Sequence, residues 1–240
     1  MKRIWLAVKS LVLVLASPMA VAGSFAVNPV RITLDARDLP VAALTVRNNT
    51  AIATVVQADA LQWMVQGEGD QYLPSNELLV TPPVFTLQPH GVQVVRVGLR
   101  QRTPAADGSE RSFRLYLTEV PPPPAPDFHG LNVALRLGVP VFVQAPGTAA
   151  KLGFELRAAR PDLVELVAGN SGTAHARLNR IAIHDQGGSQ VAELTLARDL
   201  LAGQRRRFSV PLAAPTRTPL QVRIDTSEGP LHFVLSPPPG

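Results

Sequence analysis

The chain has 240 residues, of which 46% are hydrophobic, 5% are aromatic and none is cysteine. That length supports two cores built mainly of Val, Leu and Ala, with no disulfide staple and no thiolate metal ligand. Three of the 23 basic residues but no acidic one lie in residues 1–22, leaving 20 basic against 18 acidic beyond them, a balance with no footprint for a nucleic acid.

The chain opens with Lys2 and Arg3, then an apolar run broken only by Lys9 and Ser10, then Ala20-Val21-Ala22 before Gly23. This is the layout of a secretory signal peptide. The run from Leu11 to Val21 falls short of the roughly 20 residues of a spanning helix. Export, cleavage after residue 22 and no stable membrane insertion afterwards are expected.

Short β-type runs follow at spacings near ten residues. Ile32 and Leu34 flank Thr33. Residues 41–46 are apolar and close at Asn48-Asn49, a pair that tolerates turn backbone. Residues 52–64 form a third run, and 67–76 read as a polar loop. Residues 78–81 and 84–87 flank Pro82-Pro83, and 92–99 follow. In 112–120, Phe113, Leu115 and Leu117 alternate with Arg114, Tyr116 and Thr118. Residues 121–126 form a stiff, exposed proline connector.

The longest alternation covers 131–144. Leu131, Val133, Leu135, Leu137, Val139, Val141 and Val143 are all aliphatic, whereas Asn132, Ala134, Arg136, Gly138, Pro140, Phe142 and Gln144 are mixed. Side chains of a strand alternate faces, so one face is a continuous aliphatic ridge. At about 3.3 Å per residue it exceeds an ordinary strand of about five or six residues. Two readings stand: the ridge faces its own core, or part of it is offered to a partner by strand addition.

Further strands are expected at 152–159, 162–170, 175–185, 189–203, 205–212, 220–226 and 231–236, with turns at Asn170-Ser171-Gly172 and Gln186-Gly187-Gly188. No stretch has sustained helical periodicity. The prediction is an all-β chain: signal peptide 1–22, a first β-sandwich at 23–146 carrying the long strand, and a second at 147–240. The five histidines are dispersed, and neither GxSxG nor a glycine-rich phosphate loop occurs. The expectation is therefore no enzyme, no cofactor and no metal. Arg205-Arg206-Arg207 reads as a solvated strand edge.

Several segments together resemble the periplasmic fimbrial (pilus) assembly chaperones of the chaperone–usher pathway. LLVTPPVFTLQP (78–89), VQVVRVGL (92–99), ERSFRLYLTEVPPPP (110–124) and LNVALRLGVPVFV (131–143) match the order and spacing of that family's first domain. VAGNSGTAHARLNRIAI (167–183) and LLAGQRRRFSV (200–210) resemble its second. The resemblance implies two Ig-like β-sandwich domains in tandem with a cleft between them. It implies a pilin (fimbrial) subunit and an outer-membrane usher as partners, and the periplasm as the place of action.

By the same resemblance, Leu131, Val133, Leu135 and Leu137 form a donor strand that fills the subunit's open groove, while Val139, Val141 and Val143 stay in the home core. Arg31 takes the position of an arginine that anchors the subunit's C-terminal carboxylate. The companion lysine position falls on Pro140, so Arg136 or Arg114 is the candidate second cation. Gln144 stands where many members carry a domain-latching arginine, and Glu110 where its acidic partner sits. These departures point to a divergent branch, near the archaic chaperones. Self-association through the apolar strand is also expected. The alternative function is a secreted two-domain adhesin or structural pilus component.

Overall fold

The computed structural model describes residues 25–37, 40–67, 69–101, 108–123, 127, 130–131, 133–215 and 218–236. The expected signal peptide lies outside the described residues. Every helix-or-strand element among them is a strand. The first ten are β1 (Phe25–Asn28), β2 (Ile32–Asp35), β3 (Val41–Asn48), β4 (Thr54–Gln66), β5 (Gly69–Pro74), β6 (Leu78–Thr81), β7 (Val84–Leu87), β8 (Val92–Leu99), β9 (Arg111–Val120) and β10 (Arg136–Gln144). They form a sheet in the order β1-β3-β8-β6 and a second in the order β2-β10-β9-β4-β5, with β7 also on β4.

Alternation explains how the two sheets close on each other. Phe113, Leu115 and Leu117 of β9 are completely buried, as are Leu44, Val46, Val95 and Val97 from the facing sheet. Val139, Val141 and Val143 of β10 join the same core. The intervening residues of β9 point to the opposite face, which becomes a wall of the site described below.

The position of β10 matters most. It runs antiparallel to β9 from Arg136 opposite Thr118 to Val143 opposite Arg111, all but its last residue. On its other side it pairs with β2, in parallel, only from Val141 to Gln144. Over 136–140 no described strand occupies that side. Proline is tolerated at a sheet edge, and Pro140 falls in this stretch.

Two boundaries differ from the sequence reading. Residues 67–76, expected as a loop, contain β5, which pairs with the far end of the thirteen-residue β4. Its polar composition hid it, because strand preference reflects fit to a half-buried surface and Tyr72 supplies that fit against Trp63. The long alternation becomes a regular strand only at Arg136. Its ladder is foreshadowed at Leu135, whose carbonyl accepts from the Glu119 amide at 2.8 Å.

The remaining strands are β11 (Leu152–Arg160), β12 (Leu163–Asn170), β13 (Ala176–His184), β14 (Gln190–Leu200), β15 (Arg205–Pro211), β16 (Leu220–Thr226) and β17 (Gly229–Leu235). Sheets β11-β12-β15 and β14-β13-β16-β17 enclose a second core around Leu166, Leu178, Ile183 and Ile224. The fold is therefore all-β, two Ig-like sandwiches in tandem. Buried Asn170 ties the entry to the second one: its side chain donates to Ala174 and Leu200 carbonyls and accepts from the Lys151 and Gly172 amides. Gly172 sits so close to this segment that a Cβ would lie 2.3 Å from the Ala149 carbonyl oxygen.

Three outcomes test this packing. Leu115→Ala should lower stability by about 2–5 kcal/mol in urea unfolding, through lost burial and a cavity. Gly172→Ala should lower it by about 1–3 kcal/mol, because the contact is with backbone that has little room to move. At the end of β2, hydrogen bonds from Arg37, the side chain's first, hold the Asp35 carboxyl down at about 2. The pairing therefore stabilises the fold fully above about pH 4 and is lost as the pH falls through about 2. Arg37→Ala should move the Asp35 midpoint up toward about 3.9 in an NMR titration.

Candidate functional site

The outer face of the sheet containing β10 carries an unusual share of the chain's aromatic residues. Both tyrosines, Tyr72 and Tyr116, lie on it, together with Trp63. The register puts Tyr116 opposite Gly138 and Arg114 opposite Pro140. Trp63 and Tyr72 have ring centroids 6.1 Å apart, and Tyr72 meets Tyr116 edge-on at 5.9 Å. The Arg114 guanidinium lies 4.1 Å from the Trp63 ring centre, and that of Arg136 lies 3.9 Å from Tyr116. Cations over ring faces are held by the ring quadrupole. Gly138 makes room for this layer, since a Cβ there would stand 3.1 Å from both Arg114 Cδ and Tyr116 Cε1. Burial pushes the Tyr116 phenol up, helped by nearby Tyr72 and opposed by Arg114 and Arg136.

Where this face meets the second sandwich, a polar chain crosses between them. Glu110 is buried and accepts from the His175 backbone amide at 3.1 Å, and its Oε1 lies 2.7 Å from His175 Nδ1. His175 Nε2 lies 2.9 Å from Arg31 Nη1. A guanidinium only donates, so Nε2 is the acceptor and Nδ1–H the donor to Glu110. Arg31 Nη2 then donates to Asp199 Oδ1 at 2.5 Å, and Arg177 Nη1 approaches the same oxygen at 3.3 Å. The His175 ring stacks on Phe142, with centroids 3.5 Å apart and planes within 5°. Phe142 in turn packs with Trp63 and Leu201 in a small apolar cluster separate from both main cores. Asp70 adds another link, accepting from Arg206 at 2.8 Å and Gln204 at 3.1 Å.

The cleft beside this seam has a volume of about 540 Å³ and is lined by residues that include Arg31, Trp63, Arg114, Pro140, Arg177 and Asp199. Of the expected anchor residues, Arg31 and Arg114 thus come together in the cleft. Arg136 is on the same sheet face but over Tyr116, outside that lining. Of the expected donor residues, Leu131 and Val133 are 86% and 74% exposed. Leu135 and Leu137 are half-buried against the first core, whereas Val139, Val141 and Val143 are at most 2% exposed.

Glu110, the expected latch acid, is matched here by His175. The sequence reading missed His175, Asp199 and Arg177, and it did not single out Phe142. His175 lies 144 residues from Arg31, and Asp199 lies 168 away, so no local spacing signals either partnership. The arginine triplet is also more engaged than a solvated edge. Arg205 pairs with Glu155, Arg206 with Asp70, and Arg207 lies 3.8 Å from Glu165. Among the described residues, no group of three or more His, Cys, Asp and Glu side chains is arranged to hold a metal ion.

His175→Ala should loosen the seam, because it removes the ring stack and the imidazole's hydrogen bonds to Glu110 and Arg31, leaving buried Glu110 with the backbone amide at 175. Limited proteolysis should then cut faster within 145–150, while circular dichroism keeps the β signature of both sandwiches.

Residues 24–149 match the family described as pili and flagellar-assembly chaperones, at its PapD N-terminal domain. No curated protein matches the chain. Solved structures of similar fold include a chaperone–tip adhesion subunit pre-assembly complex, CsuC–CsuE, from the archaic chaperone–usher Csu pili of Acinetobacter baumannii. The match has 18% identity and a TM-score of 0.62, covering 89% of this chain and 99% of that one. The SafB chaperone complexed with the SafA pilin of Salmonella enterica gives 18% identity and a TM-score of 0.58, over 88% of this chain and 96% of that one. The Escherichia coli chaperone DraB gives 18% and 0.57, over 89% and 98%. At these identities the likeness is one of fold.

Proposed function

Since the chain belongs to the family of pili and flagellar-assembly chaperones, we propose that it binds pilin subunits in the periplasm and delivers them to an outer-membrane usher. In this reading residues 1–22 are removed on export, 23–146 form the subunit-binding domain and 147–240 the second domain. No catalysis and no cofactor are involved. The solved relatives named with partners, CsuC with CsuE and SafB with the SafA pilin, support the same kind of partner here.

The observation that carries the proposal is the half-paired β10. Over 136–140 one side of the strand has no described partner, and just before it Leu131 and Val133 stand in solvent. A subunit that lacks a strand can add its edge there, with main-chain hydrogen bonds for affinity and alternate side-chain pockets for specificity. Each large aliphatic side chain taken into the subunit's groove contributes about 1.5–3 kcal/mol. Leu131 and Val133 go wholly to the subunit, and Leu135 and Leu137 are shared with the home core. Arg31 receives the subunit's C-terminal carboxylate in the cleft. The same edge supports self-association of the unloaded chaperone, which the subunit then displaces. An adhesin or structural pilus component would need the ridge buried in its own sandwich, and Leu131 and Val133 are not.

Co-expression with a candidate pilin subunit from the same genome tests both parts. Leu131→Asp and Val133→Asp should each cut complex yield at least about tenfold with no change in melting temperature, since neither side chain supports the fold. Undiminished yield would remove strand donation. Arg31→Ala should weaken the complex about tenfold through loss of a charge-assisted hydrogen bond, and unchanged affinity would remove the anchor.

A further inference from the structure

Arg31 does not present an open guanidinium to the cleft. Asp199 from the second sandwich already occupies it, with a side chain only 5% exposed, and Arg177 closes on the same carboxylate. The backbone around Asp199 is built irregularly. Between β13 and β14 the register jumps from Leu178 opposite Arg198 to Arg180 opposite Thr195, so Leu196 and Ala197 together face Asn179. Ala197 has φ of 45°, a left-handed conformation that side chains other than glycine, Asn and Asp seldom adopt. Bulges of this kind re-aim side chains next to functional sites. Here Leu196, Ala197, Arg198 and Asp199 all line the cleft.

The charges around the cleft are also unbalanced. Among the described residues, Arg31, Arg114, Arg177 and Arg198 line it, against Asp70 and Asp199. Asp70 is committed to Arg206 and Gln204. Arg114 holds its guanidinium over the Trp63 ring. The cation pair that embraces a carboxylate is therefore Arg31 from one sandwich and Arg177 from the other, and the carboxylate now between them is the protein's own.

We propose that Asp199 is an internal stand-in for the ligand carboxylate. In the unloaded chain Arg31 and Arg177 close on Asp199. An incoming C-terminal carboxylate displaces it and takes these two arginines as its cations. The inference rests on the carboxylate-anchor reading of Arg31 and names the second cation that the proline at position 140 does not supply. It also gives a reason for the bulge. Two part-buried guanidiniums facing each other across an empty cleft would repel, and Asp199 relieves that until a ligand arrives. Exchange of one carboxylate for another returns only part of the pairing as affinity, whereas a neutral chain end gains no charge pairing there and leaves Asp199 in place.

The test uses a short peptide of alternating valine and threonine in two forms, with a free C-terminal carboxylate and with a C-terminal amide. Binding is followed by the fluorescence of Trp63, the only tryptophan beyond residue 22. The unaltered protein should prefer the acid. Asp199→Asn should bind the acid about tenfold tighter and the amide no differently, while Arg177→Gln should erase most of the preference for the acid. Acid binding that is unchanged or weaker in Asp199→Asn overturns the stand-in while leaving the Arg31 anchor intact. Equal binding of the two peptides by the unaltered protein, or none, overturns the anchor and the stand-in together. Should Asp199→Asn fail to fold, hydrogen exchange on the unaltered protein decides. The acid should speed amide exchange across 196–200 relative to the amide peptide, and identical exchange overturns the inference.

Discussion

β10 has two neighbours of different length, and the rest of the molecule follows from that mismatch. β9 accompanies it from Arg136 to Val143, but β2 reaches it only at Val141. The doubly paired end is fully committed: its valines fill the first core, and Phe142 on the opposite face reaches the second sandwich. The singly paired end keeps a row of backbone groups and an aliphatic approach segment available. A sheet edge of this kind is ordinarily a liability that proteins cover or blunt. Retained beside exposed Leu131 and Val133, it becomes a place where another chain can complete the sheet.

The second sandwich controls the other wall of that place. Its contact with the first is only partly apolar, through Trp63, Phe142 and Leu201. One polar line runs Glu110, His175, Arg31, Asp199, with each group fixed by what its neighbour can donate or accept, and Asp70 with Gln204 and Arg206 forms another. Arg31 is thus a joint between the sandwiches as well as a candidate ligand contact. A ligand that takes Arg31 has to alter how the two halves hold each other, which ties subunit capture to the geometry of the cleft.

Much of the fold was legible in the sequence because alternation is a local signal. The aliphatic rows of β9 and β10 mark both their strand character and their buried face before any partner is known. β5 escaped because its residues are polar and its fit depends on Tyr72 meeting Trp63, a tertiary contact. The site was legible only in part. Family resemblance singled out Arg31 and Glu110, but their partners His175 and Asp199 come from the other sandwich, more than sixty residues away in each case. Along the ridge, full burial begins at Val139, and Leu135 and Leu137 already rest half-buried against the core, because a side chain can touch the core before its backbone is doubly paired.

The central claim is that residues 131–140 gain a strand partner from the subunit. Backbone amide exchange over this segment, measured in the free chaperone and in its complex with a pilin subunit, tests it most directly. Strand donation predicts that the amides of 131–139 that β9 does not hold exchange rapidly in the free protein and become strongly protected in the complex. Protection confined to other surfaces, with this segment still exchanging rapidly in the complex, would contradict the account.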